Sequence, residues 1–409
     1  MELSKLQLQC VDDIMSWFNG SNTKQTFILS GVAGSGKTTL IAHIRNLLSK
    51  NIKIAFGAYT GKASSVLRSK LQKFNINRFE DDSISTIHAL IYEPPLDDDL
   101  DINEMKWILK SDLEFDFLII DECSMIPKKI YDELLSFNKK ILFVGDAFQL
   151  PSVDDTFNLL SGPIDFKLHE VHRFALENPL TKISIMAREE GYVPHGRYGE
   201  FVIKVRPNDP LITKFIDNIK DFENTIILCG FNKTRIDLNQ KIRARKKIHG
   251  IPQTGERIIC LKNNRHAKRC PIYNGVIGTL KSITENFDHY RVSVKIDGED
   301  QFYHGSISKK VFNNEKPEMN EYIFVEDEDD NVDNVYNHYS NQNRTLKKRK
   351  IYLDCFDFAS AATVHKSQGS EFNHVLLIEQ VCSYWSGDLW NRWLYTGITR
   401  SRNELLIVR

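Results

Sequence analysis

No excess of charge of either sign marks this chain: 54 basic side chains stand against 54 acidic ones in 409 residues. That excludes a protein that holds polyanions by bulk charge, such as a histone-like coat. A local basic groove stays open, because fields act over about one Debye length and not over a whole chain. A cysteine framework is missing as well. The seven cysteines (Cys10, Cys123, Cys229, Cys260, Cys270, Cys355 and Cys382) are odd in number, scattered and without a C-x-x-C pair, which argues against a secreted disulfide scaffold and a zinc ribbon. No run approaches the roughly 18 apolar residues that span a bilayer. The opening MELSKLQLQC is amphipathic and holds no signal-type apolar stretch. The expected compartment is the cytoplasm, with no membrane partner.

What is present is ordinary globular material, 41% hydrophobic and 26% charged, in a length that allows two or three domains. Short apolar runs end in polar residues and alternate with helix-forming stretches: TFILS before Gly31, IKIAFGAY before KASSVLRSKL, FLII before Asp121, ILFV before Gly145 and Asp146. That texture predicts a parallel sheet covered on both faces, with ligands at the carboxyl ends of its strands. It returns with TIILC (225–229) and HVLLIE (374–379). Between them, from about 253 to 350, Gly/Asn turns and short alternating strands predict a β-rich insertion. The runs EDEDDNVD and KKRK there read as a solvated loop before a binding element. The fold class is therefore α/β, expected as an N-terminal domain over 1–165, a second domain over 166–252 and 351–409, and a β-rich insertion over 253–350.

Gly31-Val-Ala-Gly34-Ser35-Gly36-Lys37-Thr38 fits G-x-x-x-x-G-K-[ST] between a strand and a helix. Its glycines let successive N–H groups face a phosphate chain, with the helix N-terminus adding partial positive charge. Lys37 reaches the β- and γ-phosphates of ATP in such a loop, and Thr38 holds Mg²⁺, with Thr39 beside it. Asp121-Glu122, an ordinary strand exit by itself, becomes a metal-binding and water-polarising pair downstream of that loop. Gln149, in GDAFQLP, is either a polar turn residue or an uncharged sensor of the γ-phosphate and the attacking water.

GVAGSGKTT, DECSM, GDAFQLP, ATVHKSQGSEF and LYTGITRSR, in that order across nearly the whole chain, resemble the motifs of superfamily 1 DNA helicases, and most closely the 5′→3′ branch of RecD and the phage Dda helicase. The resemblance implies two RecA-like P-loop domains, ATP in the cleft between them and single-stranded DNA across the top. It implies that Gln7 recognises adenine, unless it is a helix-surface amide. It implies that Arg173 (in LHEVHRF) and Arg400 (in TGITRSR) meet the γ-phosphate, unless they are surface salt bridges. Gly369 and Glu371 match the loop that closes on the nucleotide.

The same resemblance gives the DNA contacts: Thr60 and Lys62 in AYTGKA, Thr86 and His88 in STIH, Phe231, Asn232 and Lys233, and Thr363, His365 and Lys366. Hydroxyls and amides bond phosphate oxygens without reading sequence, and aromatic or histidine faces stack on bases. His88 alone is equally a packed histidine. Relatives often have a proline before the threonine of the first loop, where this chain has Tyr59. The basic stretch KIRARKKIH (241–249), with Arg265, Lys268 and Arg269 beyond it, reads first as a solvated helix face. Tyr384, Trp385, Trp390 and Trp393 read as core before base platforms. A strand-splitting pin is expected over 92–113, with Pro94-Pro95 as a rigid turn and Leu96 or Trp107 as its tip, and the β-rich insertion as an SH3-like subdomain.

These expectations amount to an ATP-driven helicase acting as a monomer on single-stranded DNA and on forked or tailed duplexes, with replication or recombination proteins as partners and a phage or bacterial source. The rivals are a helicase of opposite polarity or one acting on RNA, a nucleotide-gated binding or remodelling ATPase that never unwinds, and a P-loop ATPase without DNA.

Overall fold

The computed structural model describes residues 3–20, 24–74, 80–93, 108–151, 157–170, 177–219, 223–262, 272, 274–297, 302–315, 317, 322–326, 348–382 and 385–409. Arg173, Arg265, Lys268, Arg269, Tyr384 and the centre of the expected pin, with Pro94, Pro95, Leu96 and Trp107, lie outside them. Among the described residues, no helix is long and apolar enough to cross a membrane.

The first sheet is built from β1 (Thr26–Gly31), β2 (Ile54–Ala58), β3 (Ser83–Thr86), β4 (Phe117–Asp121), β5 (Lys140–Gly145) and β6 (Phe166–Leu168). Its order is β3-β2-β4-β5-β1-β6 and every pair is parallel. The central strands alternate between two apolar layers. Phe27, Leu29, Phe117, Ile119, Leu142 and Val144 pack with helices α1 (Lys5–Asn19), α2 (Lys37–Leu47) and α3 (Gly61–Gln72). Ile28, Leu118, Ile120, Ile141 and Phe143 pack with α4 (Ile87–Ile91) and α5 (Lys128–Ser136). Burial on both faces explains why these strands read as unbroken apolar runs. The sheet reaches Leu168, past the boundary expected at 165, because β6 pairs with the end of β1.

The chain continues through α6 (Pro179–Glu189), β7 (Gly196–Arg197), β8 (Val202–Val205), α7 (Pro210–Asp217), β9 (Thr225–Cys229) and α8 (Asn232–Arg245). It then leaves to form a five-stranded antiparallel sheet from β10 (Arg257–Cys260), β11 (Ile277–Glu285), β12 (His289–Ile296), β13 (Phe302–Ser308) and β14 (Phe356–Phe358), in the order β13-β12-β11-β10-β14. It returns as β15 (Ala361–Thr363), β16 (Phe372–Ile378), α9 (Gly387–Ile398) and β17 (Ser401–Val408). The second sheet has the order β15-β9-β16-β17-β8-β7, parallel apart from its last pair.

The insertion's sheet thus extends to Phe358 and not to 350, since β14 pairs with β10. Its last strand leads within two residues into β15, which fixes the insertion to the second domain. Asn239 of α8 reinforces that corner, donating to the carbonyls of Phe358 and Ala361, both at 3.0 Å, and accepting from Ala361 N–H at 2.9 Å. The basic stretch on α8 has structural work: Arg243 is paired to Glu256 at 2.8 Å and lies on the Phe358 ring, and Arg245 is paired to Asp217 at 2.5 Å. At the expected pin, Tyr92–Glu93 pairs antiparallel with Ile108–Leu109, so a hairpin-like base is present.

Candidate active site and nucleic-acid channel

β1 delivers the chain into a loop in which Gly34 and Gly36 take left-handed backbone, φ 80° and 79°, a conformation that favours glycine. Gly36 caps the N-terminus of α2, the helix that carries Lys37, Thr38 and Thr39. The Lys37 ammonium folds back onto the carbonyls of Gly31 at 2.6 Å and Val32 at 3.2 Å. Gln7 sits behind this loop. It completes a capping box with Ser4, accepting from Ser4 N–H at 2.9 Å, and its amide nitrogen donates to the Ser35 carbonyl at 3.0 Å. Its amide braces the loop from behind, and Gln7 is not among the residues that line the nucleotide cavity.

A cavity of about 400 Å³ opens above the loop, lined by Gly34, Gly36, Lys37, Thr38 and Thr39, by Asp121, Glu122 and Gln149, and by Glu371 and Arg400 from the second domain. Motifs separated by hundreds of residues meet there. Asp121 ends β4 and accepts from Glu122 N–H at 2.9 Å, while Glu122 holds left-handed backbone at φ 53°. Burial raises the pKa of both carboxyls, the Asp121 charge raises Glu122 further, and Lys37 and Arg400 partly offset this. Gln149 is buried and its side-chain oxygen has no hydrogen-bond partner. Arg400, also buried, donates to the carbonyls of Thr396 and Ser370, each at 3.1 Å.

Glu371 is held between Arg402 at 2.8 Å and Lys70 at 3.4 Å. Burial pushes its pKa up, but Lys70, the Arg402 hydrogen bond and Arg400 outweigh this and bring it down to about 2. Gly369, at φ 69°, brings the second domain against the first: a Cβ there would lie 3.1 Å from the Thr60 hydroxyl and 3.2 Å from Ala63.

A second cavity, of about 430 Å³, follows the same interface. It gathers eight of the ten residues expected on DNA: Thr60, Lys62, His88, Phe231, Asn232, Thr363, His365 and Lys366. Asn274, Gly275 and Val276 add a wall from the insertion. Phe231 is exposed and stacks on Trp385 at 6.1 Å, and His365 meets Trp385 edge-on. Burial lowers the His365 pKa, which favours the neutral imidazole. Trp393 is fully buried, with Trp390 stacked on it at 5.3 Å. Trp393 is core, Trp385 and Trp390 pack half-buried against it, and Phe231 is the aromatic face this cluster presents to the channel.

Thr86 and Lys233 fall outside the channel lining. The Thr86 hydroxyl caps α4 and is buried, and Lys233 is exposed in the first turn of α8. Lys62 borders the channel, but its ammonium pairs with Asp297 at 3.3 Å and lies 4.2 Å from the centre of the Phe372 ring. Burial pushes its pKa down. Asp297 is shared with Arg257, whose guanidinium reaches it at 2.6 Å. Lys62, expected as a DNA contact, thus ties the first domain to the insertion and to the second domain.

Residues outside the expected set also border these cavities. Lys70, Lys73 and Phe74, from the end of α3, face the nucleotide. Asp146 and Tyr395 form a buried bond at 2.6 Å across the domain interface. Asp146 directly follows an apolar strand, as Asp121 ends one, and that position was the available signal. Nothing local marks Tyr395 beyond its place on the helix that precedes Arg400.

A P-loop at the end of one parallel sheet, and an arginine presented to it from a second such sheet, define a P-loop ATPase with two RecA-like domains. Known proteins agree. The AAA domain family matches residues 18–155, and the UvrD-like helicase C-terminal domain matches residues 358–408. The RecD subunit of the RecBCD enzyme from Buchnera aphidicola of Schizaphis graminum is 25% identical over 439 residues, covering 93% of this chain and 69% of the relative. Its counterpart from the Acyrthosiphon pisum strain is 28% identical with the same coverage. Among solved structures, the Pif1 helicase from Bacteroides in complex with ADP-AlF3 and ssDNA superposes with a TM-score of 0.51 at 17% identity, over 100% of this chain and 92% of that one. The family models and the RecD relatives make the chain similar to superfamily 1 helicases of the RecD type, and the Pif1 structure shares its fold.

Proposed function

We propose that this protein is an ATP-driven motor that moves 5′→3′ along single-stranded DNA and separates the strands of forked or tailed duplexes. One observation carries the reading: two continuous segments, one from each domain, run from one cavity to the other. Thr60 and Lys62 border the channel at the start of α3, and Lys70, Lys73 and Phe74 border the nucleotide cavity at its end. In the second domain, Thr363 to Ser370 border the channel and Glu371 the nucleotide cavity. A change at either site is transmitted through an element that already forms part of the other.

Lys37 and Arg400 would neutralise the transferring phosphoryl group from opposite domains, which makes hydrolysis depend on cleft closure. Glu122, its pKa raised by burial, suits acceptance of a proton from the attacking water. Gln149 has a free amide oxygen for that water or for the γ-phosphate. Asp121 and Glu122 are two buried carboxyls side by side, with Lys37, Lys70 and Arg400 as the nearby cations, a donor pair that suits a divalent ion. Thr38 and Asp121 would hold Mg²⁺, which when bound supplies charge neutralisation at the phosphate oxygens.

In the channel, Thr363, Asn232 and Lys366 would bond backbone phosphates and Phe231 would stack on a base. The insertion, in the role of an SH3-like cover, closes the channel through Asn274 to Val276. Arg173 keeps its proposed place as a second γ-phosphate arginine. Action as a monomer is part of the same proposal. Unwinding of 5′-tailed and 3′-tailed duplexes, with DNA and RNA tracking strands compared, tests the reading. ATP-dependent opening of the 5′-tailed DNA substrate is expected. Opening of the 3′-tailed form alone, or tight binding without strand separation, would overturn it.

A further inference from the structure

The segment Asp146–Leu150 follows β5 of the first sheet, yet side chains of the second domain hold it at Asp146, Ala147 and Leu150. Tyr395 donates to Asp146 Oδ2 at 2.6 Å, and Arg392 donates to the Ala147 carbonyl. Thr396 Oγ1 accepts from Leu150 N–H at 3.0 Å, and Gln368 donates to the Leu150 carbonyl at 2.6 Å. Leu150 itself lies in the apolar core of the second domain. Gln149, the amide that faces the nucleotide cavity, is thus suspended from the second domain.

Tyr395 has a further contact: its oxygen accepts from Ala33 N–H in the phosphate loop at 2.8 Å. One phenol therefore joins Ala33, Asp146 and helix α9, whose end leads to Arg400. Asp146 is fully buried and Tyr395 is 1% exposed. Water has no access to replace either bond, and leaving a buried polar group unpaired is costly. Burial, then the Asp146 charge, pushes the Tyr395 pKa well above the usual phenol range, so the hydroxyl remains a neutral donor.

We propose that Tyr395 is a positioning residue that couples the phosphate loop and the Gln149 segment to the second domain, so that DNA gripped by that domain sets the geometry of hydrolysis. The inference rests on the motor reading above. The helix carrying Tyr395 is also the one whose Trp390 and Trp393 pack beneath Trp385, and Trp385 supports Phe231 in the channel. A strand stacked on Phe231 therefore acts on α9 through Trp385, and α9 acts on Ala33 and Asp146 through one oxygen atom.

The test is Tyr395→Phe, which keeps the ring and removes both hydrogen bonds. Steady-state ATPase is measured with and without oligo(dT), alongside strand affinity and thermal melting. The ratio of stimulated to basal kcat should fall by about tenfold or more, equivalent to about 1.4 kcal/mol in the barrier, with oligo(dT) affinity within about twofold of wild type. A purely structural role would lower both rates in proportion and leave that ratio unchanged, which would overturn the proposal. If Tyr395→Phe does not fold, Asp146→Asn, which keeps an acceptor but removes its charge, is read the same way. Where both fold, the double variant should lose no more than the worse single one, and additive losses count against a shared unit. Wild-type ATPase that ignores oligo(dT) refutes the motor reading itself, a different result from a variant whose stimulation is intact.

Discussion

The two cavities on the domain interface are built on opposite plans. In the nucleotide cavity the polar groups wait for a ligand: Gln149 has an unpartnered oxygen, Asp121 and Glu122 are two buried carboxyls side by side, and Lys37 rests on its own loop's carbonyls. In the channel several groups of the right type are already committed. Thr60 caps α3, and Lys62 belongs to Asp297. A triphosphate is compact and highly charged, so it demands converging charges from a rigid loop. A polymer slides, and a track that held it with many bare cations would not let go. Neutral donors and one exposed ring suit repeated release.

Three substitutions probe that contrast, in decreasing order of expected effect. Lys37→Ala should lower ATP turnover by about 10²–10³-fold, the scale for a lost transition-state donor, while single-strand affinity measured by fluorescence anisotropy changes little. Strong turnover in that variant would dissolve the division between the two sites. Phe231→Ala should weaken single-strand binding by about 1–3 kcal/mol, the worth of one base–aromatic contact, with the KM for ATP in the absence of DNA unaffected. An unchanged affinity would remove the ring from the track.

Lys62→Met should leave the salt dependence of single-strand binding unaltered, because the ammonium is taken by Asp297. A phosphate contact would instead reduce the slope of log K against log[salt] by about 0.7. A reduced slope would return Lys62 to the DNA side and blur the contrast between the cavities.

What the sequence made legible follows the same division. Phosphate binding needs consecutive backbone N–H groups, so Gly31 to Thr39 could be read from neighbours alone, and the apolar strands before Asp121 and Asp146 announced their own burial. Tyr395–Asp146 and Lys62–Asp297 could not be read this way. Their partners are 249 and 235 residues apart, and in the sequence Asp297 closes an alternating strand like any solvent-facing carboxylate. Gln7 was visible as a residue of interest, but only the capping-box geometry shows which way its amide is turned. The insertion's boundary was misplaced for a related reason: β14 and β15 are short, buried and nearly contiguous, so no change of texture marks where one sheet ends and the next begins.

The bracing of the phosphate loop by Gln7 reaches beyond its own neighbourhood. Ser4, Gln7 and Ser35 form one mechanical strut, so loosening the first turn of α1 would slacken the nucleotide grip from behind. A fusion, an antibody or a partner that crowds Ser4 would then throttle fuel uptake without touching a phosphate.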